Sequence, residues 1–132
     1  MSKISRRKFV AAASLLPLGA TASAMETKKE PVLVHHVFFW LKDPSSTADR
    51  DKLLAGVKSL RKIPTIKMIH VGVPASTEKR DVVDNSYHVS ELMFFDNLEG
   101  QKTYQDHPIH QQFIKEHSML WDKVVVYDVM EA

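Results

Sequence analysis

The chain has 132 residues, 18 of them basic and 16 acidic, a formal charge of +2 and no cysteine. That length suits one domain, and the missing cysteines exclude a disulfide framework and a thiolate metal site. The small basic excess sits at the N-terminus, so nothing in the remainder points to nucleic acid or an anionic membrane as a partner.

Ser5-Arg6-Arg7-Lys8-Phe9-Val10 has a twin-arginine pattern, followed by the apolar run from Val10 to Leu18 and the small residues Ala22-Ser23-Ala24. The run is too short to span a bilayer, which takes ~20 apolar residues. Residues 1–24 are therefore expected to be an export signal. The mature protein is then periplasmic or extracellular, without stable membrane insertion once the signal is removed. The signal holds Lys3, Arg6, Arg7 and Lys8; taking these four from 18 leaves 14 basic against 16 acidic residues, a charge of −2. Residues 25–31 read as a polar tether and 32–130 as the folded domain.

Val32 to Leu41 predicts a strand, rich in β-branched and aromatic residues. One face carries Leu33, His35, Val37, Phe39 and Leu41, the other Val34, His36, Phe38 and Trp40. A strand apolar on both faces is expected to be covered on both. Asp43 to Thr47 supplies turn and capping residues for a helix running to about Ile63, where Pro64 ends it. A second strand is expected over 66–73, a polar connection over 74–85, and a third strand over 87–95. Asp96 and Asn97 cap a short helix carrying Leu98 and Tyr104. A further helix starts at Pro108 with Ile109, Phe113 and Leu120 toward the core, and a last strand runs from Trp121 to Val129.

The order is β-α-β-β-α-β with the second helix broken. This predicts an α+β, ferredoxin-like subunit: a four-stranded antiparallel sheet with helices on one face. A chain this small has nothing left to cover the other face, so a homodimer is expected, pairing as a dimeric α/β barrel.

The break in the second helix concentrates the chemistry. His107 precedes Pro108 and is pushed out of the α region, while Pro108 suits a first helical turn. Tyr104 then lies on the last turn of one helix and His110 on the first turn of the next, so both can face one space. The plainer alternative is that His107 only caps and His110 only packs.

The chain resembles the stress-responsive A/B-barrel (Dabb) family. The resemblance is carried by the first-strand run from His35 to Asp43, Ile63-Pro64, Tyr104-x-x-His107-Pro108-x-His110, and Trp121 with the run from Lys123 to Asp128. It covers roughly residues 31 to 130 and implies a ferredoxin-like subunit and a dimeric α/β barrel. Similar members include plant polyketide cyclases that close a linear polyketide by aldol chemistry. Their cleft histidine and tyrosine match His110 and Tyr104, and their first-strand histidine matches His35. They also use a first-helix tyrosine, whereas this helix has none and Gly56 lies about where one would be needed.

A histidine titrating near roughly 6.5 accepts protons at neutral pH, and a phenol can hydrogen-bond a carbonyl oxygen. His110 as base, Tyr104 as donor and His35 as support would enolise a small apolar carbonyl or aromatic ligand, with no cofactor and no metal. Val37, Phe39 and Met68 are candidate walls, with His35 on the face opposite the helices or at its edge. His36 must point away from His35. His70, His88 and His117 read as structural or surface residues, Tyr87 and Tyr127 as packing, and Glu91 as a candidate buried acid. His107 and His110 are three apart, but no carboxylate joins them at ligand spacing. Two rivals to the cyclase- or lyase-like reading stay open: a non-catalytic stress-response or hydrophobic-ligand-binding module, and a haem- or oxygen-dependent enzyme on the same architecture.

Overall fold

A computed structural model describes residues 30–132; the expected export signal and nearly all of the tether lie outside them. Strand β1 spans Leu33–Leu41, helix α1 Thr47–Ser59, β2 Met68–Gly72, β3 Val89–Phe95, α2 Leu98–Asp106, α3 Pro108–His117 and β4 Trp121–Met130. The Ser46 hydroxyl accepts from the Asp49 N–H to start α1, the interaction that makes serine a favoured N-cap. A 3₁₀ turn, Leu60–Lys62, then tightens the exit before Pro64. The polar connection forms neither helix nor strand through Asn85, and it leaves β2 and β3 shorter than expected.

The strands are antiparallel in the order β2-β3-β1-β4. Alternation along β1 is strict: Leu33, His35, Val37, Phe39 and Leu41 are buried, and the residues between them half-buried. Leu53, Val57 and Leu60 from the first helical segment, and Phe113 and Leu120 from the last, close over the buried face with Val89, Met93 and Phe95 of β3. Complete burial of Leu53 makes truncation to alanine there worth roughly 2–5 kcal/mol.

The expected barrel is not formed. The sheet is open, ending in β2 on one side and β4 on the other, and among the described residues neither edge finds a further strand. Four strands at the usual twist cannot bring their edges round to meet. The two-sided apolarity of β1 reflects an open second face, not a closed interior. On it lie Val34, Phe38, Trp40, Phe94 and Val125, with Tyr127 and Val129 more than half exposed. No helix among the described residues is long and apolar enough to cross a membrane.

Candidate functional site

The break between α2 and α3 builds the site. Asn97 starts α2 by accepting from the Gly100 N–H at 2.8 Å. After nine helical residues α2 stops at His107, which is extended (φ −65°, ψ 140°) because Pro108 follows it. His107 ends α2 and caps α3, its Nδ1 accepting from the Ile109 N–H at 3.1 Å. Among the described residues no three histidine or carboxylate side chains gather in an arrangement that could hold a metal ion.

Tyr104, on the last turn of α2, is 1% exposed. His110, in the first turn of α3, places its ring centroid 4.6 Å from that of Tyr104. The two face one space, as their spacing across the break predicts. The His110 Nδ1 is 3.0 Å from the Gln105 carbonyl oxygen, which can only accept. Nδ1 therefore carries the proton and Nε2 is left with a lone pair. Burial holds His110 below the ordinary histidine range; the Gln105 carbonyl opposes this, and the nearby charge of His35 adds to it. The ring is accordingly neutral at pH 7 and able to accept a proton.

His35 lies on the helix-covered face of β1, not on the opposite face or at an edge. The parity that buries Leu33 and Val37 buries it too. Its Nδ1 is 2.5 Å from Asp128 Oδ1, its Nε2 is 3.9 Å from Glu91 Oε1, and its ring is 5.6 Å from that of Tyr104. His36 points to the open face and meets the Ser90 hydroxyl at 2.8 Å.

Glu91 is the residue the sequence undervalued. It is 1% exposed, and the Tyr104 hydroxyl donates to its Oε1 at 2.9 Å. Desolvation pushes its carboxyl up to about 7 against the lowering effect of that hydrogen bond. Burial, and then the adjoining Glu91, push the Tyr104 phenol well above its ordinary value. Asp128 is not a site candidate on sequence alone. Strand register reveals it: it is the acid of β4 that lies against His35 once β1 and β4 are paired.

These groups line a cavity of about 280 Å³. His35, Glu91, Tyr104 and His110 form its polar side; Val37, Phe39, Phe113 and Trp121 are among its apolar walls. Met68 lines no part of it, because it registers with Phe94 on the open face. A larger cleft of about 390 Å³ lies between the turn after β1 and the connection before β3. Its three serines are spent on local capping and turns, Ser45 with Asp43, Ser46 with Asp49 and Ser86 with Asp84, and it lacks the smaller cavity's cluster of two histidines, a tyrosine and a buried acid.

Gly56 faces the buried ring of His117. A methyl group built on it would lie 2.7 Å from His117 Cδ2, so the imidazole takes the space a first-helix side chain would use. His117 is held there by Nδ1, 3.0 Å from the Phe113 carbonyl oxygen, and by stacking on Phe113.

Solved structures share this fold. A Dabb family protein with a ferredoxin-like fold from Mesorhizobium loti is 23% identical, with TM-score 0.64 over 78% of this chain and 99% of its own. A hydroxynitrile lyase from Passiflora edulis is 22% identical, with TM-score 0.65 over 76% and 94%. A dimeric ferredoxin-like protein of unknown function from Thermobifida fusca is 17% identical, with TM-score 0.62 over 77% and 92%. Among curated proteins, none matches the chain. The family model described as the stress responsive A/B barrel domain matches residues 33–131. With the open ferredoxin-like sheet and the Tyr104–His110 pair across a proline break, the chain belongs to the stress responsive A/B barrel (Dabb) family.

Proposed function

We propose that the mature chain is an exported homodimer whose cavity binds a small apolar carbonyl compound and carries out acid–base chemistry on it without a cofactor. His110 Nε2 accepts a proton from the carbon beside the carbonyl, the electron pair of the broken C–H bond forms the enolate, and Tyr104 hydrogen-bonds the enolate oxygen. Return of the proton, or formation or cleavage of the adjoining C–C bond, completes a cyclase- or lyase-like reaction. His35 supports the pair from the strand side.

The observation that carries this reading is the Gln105 carbonyl fixing His110 Nδ1 as donor. It leaves Nε2 free as an acceptor beside a phenol in an apolar-walled cavity. The Passiflora lyase supports the class of reaction on this fold. Drug-sized ligands occupy pockets of roughly 300–1,000 Å³; about 280 Å³ suits something smaller, such as a monocyclic aromatic ketone or aldehyde.

The open sheet face supports the homodimer. Tyr127 and Val129 stand more than half exposed beside Phe38, Trp40 and Phe94, and contiguous apolar surface of this kind marks an interaction site. The Thermobifida structure is described as dimeric.

Titrating acetophenone into the protein while following the His110 imidazole signals by NMR tests the cavity reading. Saturable shifts are expected at the His110 signals, identified by their absence from His110→Ala; no shift at His110 would sink it. A binding module without turnover is the second reading. It is favoured by the internal partners of the cavity's polar groups, His110 with Gln105, Tyr104 with Glu91 and His35 with Asp128. It predicts the same shifts with no change in the ligand.

A further inference from the structure

The hydrogen bond from Tyr104 does not end the polar chain at Glu91. Beyond Glu91 lies His35, with Nε2 3.9 Å from Glu91 Oε1, and beyond His35 lies Asp128, with Oδ1 2.5 Å from Nδ1. Exposure rises along this line: the side chains of Glu91, His35 and Asp128 are 2%, 6% and 50% exposed. We infer that Glu91, His35 and Asp128 form a proton-transfer line between the Tyr104 hydroxyl inside the cavity and solvent at the seam of β1 and β4.

Strand pairing assembles it. Asp128 registers directly against His35, and Glu91 registers against Val37, the next position on the same face of β1. The inference rests on the reading of the cavity as a site of proton transfer. It adds the route by which the site exchanges protons with water. In the inward direction Tyr104 gives its proton to a ligand oxygen and Glu91 gives its own to the Tyr104 oxygen. Asp128 takes a proton from water and passes it to His35 Nδ1 as His35 gives Glu91 the proton on Nε2. Each O–H or N–H bond broken is matched by one formed, and the net change is one proton moved from solvent to ligand. Tautomer exchange resets the ring. Imidazole suits the middle position because its two nitrogens are separate proton sites. A side-chain movement of about 1 Å brings this 3.9 Å pair to hydrogen-bond distance.

Burial of Glu91 supports this role, since a carboxyl raised to about 7 both holds and releases a proton near neutrality. The titratable groups around it are His35 from β1, Tyr104 from α2, His110 from α3 beyond Tyr104, and Asp128 from β4 beyond His35. On β2 its registered neighbour is Val71, and α1 turns Leu53, Gly56 and Val57 inward, so neither adds a charge.

The test uses the whole mature chain without ligand, isotope-labelled at the glutamate side-chain carboxyls. Exchange broadening of the Glu91 carboxyl signal at its titration midpoint reads the rate at which that carboxyl trades protons with water. Asp128→Asn keeps the shape of a half-exposed side chain and removes the carrier, and the expected slowing is roughly tenfold or more. A merely structural Asp128 would shift the midpoint or the melting temperature without slowing exchange. Unchanged exchange in Asp128→Asn overturns the inference, and His35→Gln repeats the test at the next carrier. The measurement needs no ligand, so failure of His110 to act on carbonyl compounds leaves this result standing.

Discussion

Replacing Glu91 by glutamine should stabilise the protein at alkaline pH and leave it nearly unchanged in acid. In the folded chain the carboxyl is raised from its ordinary 4.5 to about 7 by desolvation. Between those values the native state binds more protons than the unfolded one, so stability falls as pH rises through the window. Each tenfold change in acidity constant corresponds to about 1.4 kcal/mol, so the full rise is worth about 3 kcal/mol. That contribution is present below about pH 4.5 and lost above about pH 7. Glutamine cannot ionise and can still hydrogen-bond the Tyr104 hydroxyl. Urea unfolding of the wild type and Glu91→Gln at pH 4 and pH 8.5 measures the difference. The variant should match the wild type at the lower pH and exceed it by up to about 3 kcal/mol at the higher. A variant less stable at pH 8.5 would mean that ionised Glu91 is well compensated, and the desolvation argument would fail.

Tyr104→Phe removes the hydrogen bond that favours ionised Glu91, so the Glu91 midpoint should move upward in a carboxyl NMR titration, with a stability cost of about 1–3 kcal/mol. Gly56→Ala should destabilise by about 1–3 kcal/mol through overlap with the His117 ring; adding His117→Ala should reduce the cost of the Gly56 change, read by thermal melting of all three variants. His107→Ala deletes the acceptor for the Ile109 N–H and should lower stability by about 1 kcal/mol in urea titrations. Tyr127→Glu, on the open face, should convert a dimer to monomer by light scattering without lowering helix content.

Element order was legible because the punctuation is local. Pro64 and Pro108 stop and start helices wherever they fall, and His107 could be assigned as a cap from its place before proline. The Tyr104–His110 juxtaposition followed from the same break, and Val37 and Phe39 followed from strand parity. What escaped the sequence depends on register between distant strands. Asp128 meets His35 only once β4 is laid against β1, 93 positions away in the chain. The face that receives His35 depends on which side the helices cover. Gly56 could be noted as lacking a tyrosine, but only packing reveals the His117 ring against it. The barrel expectation failed because apolarity on both sides of β1 shows that its second face is uncovered within the chain, without closing the sheet.

The most direct measurement is exchange of the α-hydrogens of small ketones for deuterium, followed by NMR in heavy water with the purified protein present. Wild type should accelerate exchange for a ketone that fits the cavity, and His110→Ala should lose the acceleration while keeping the wild-type melting temperature. Equal acceleration by the variant would remove His110 as the base. No acceleration for any ketone that demonstrably binds would contradict proton transfer in this cavity.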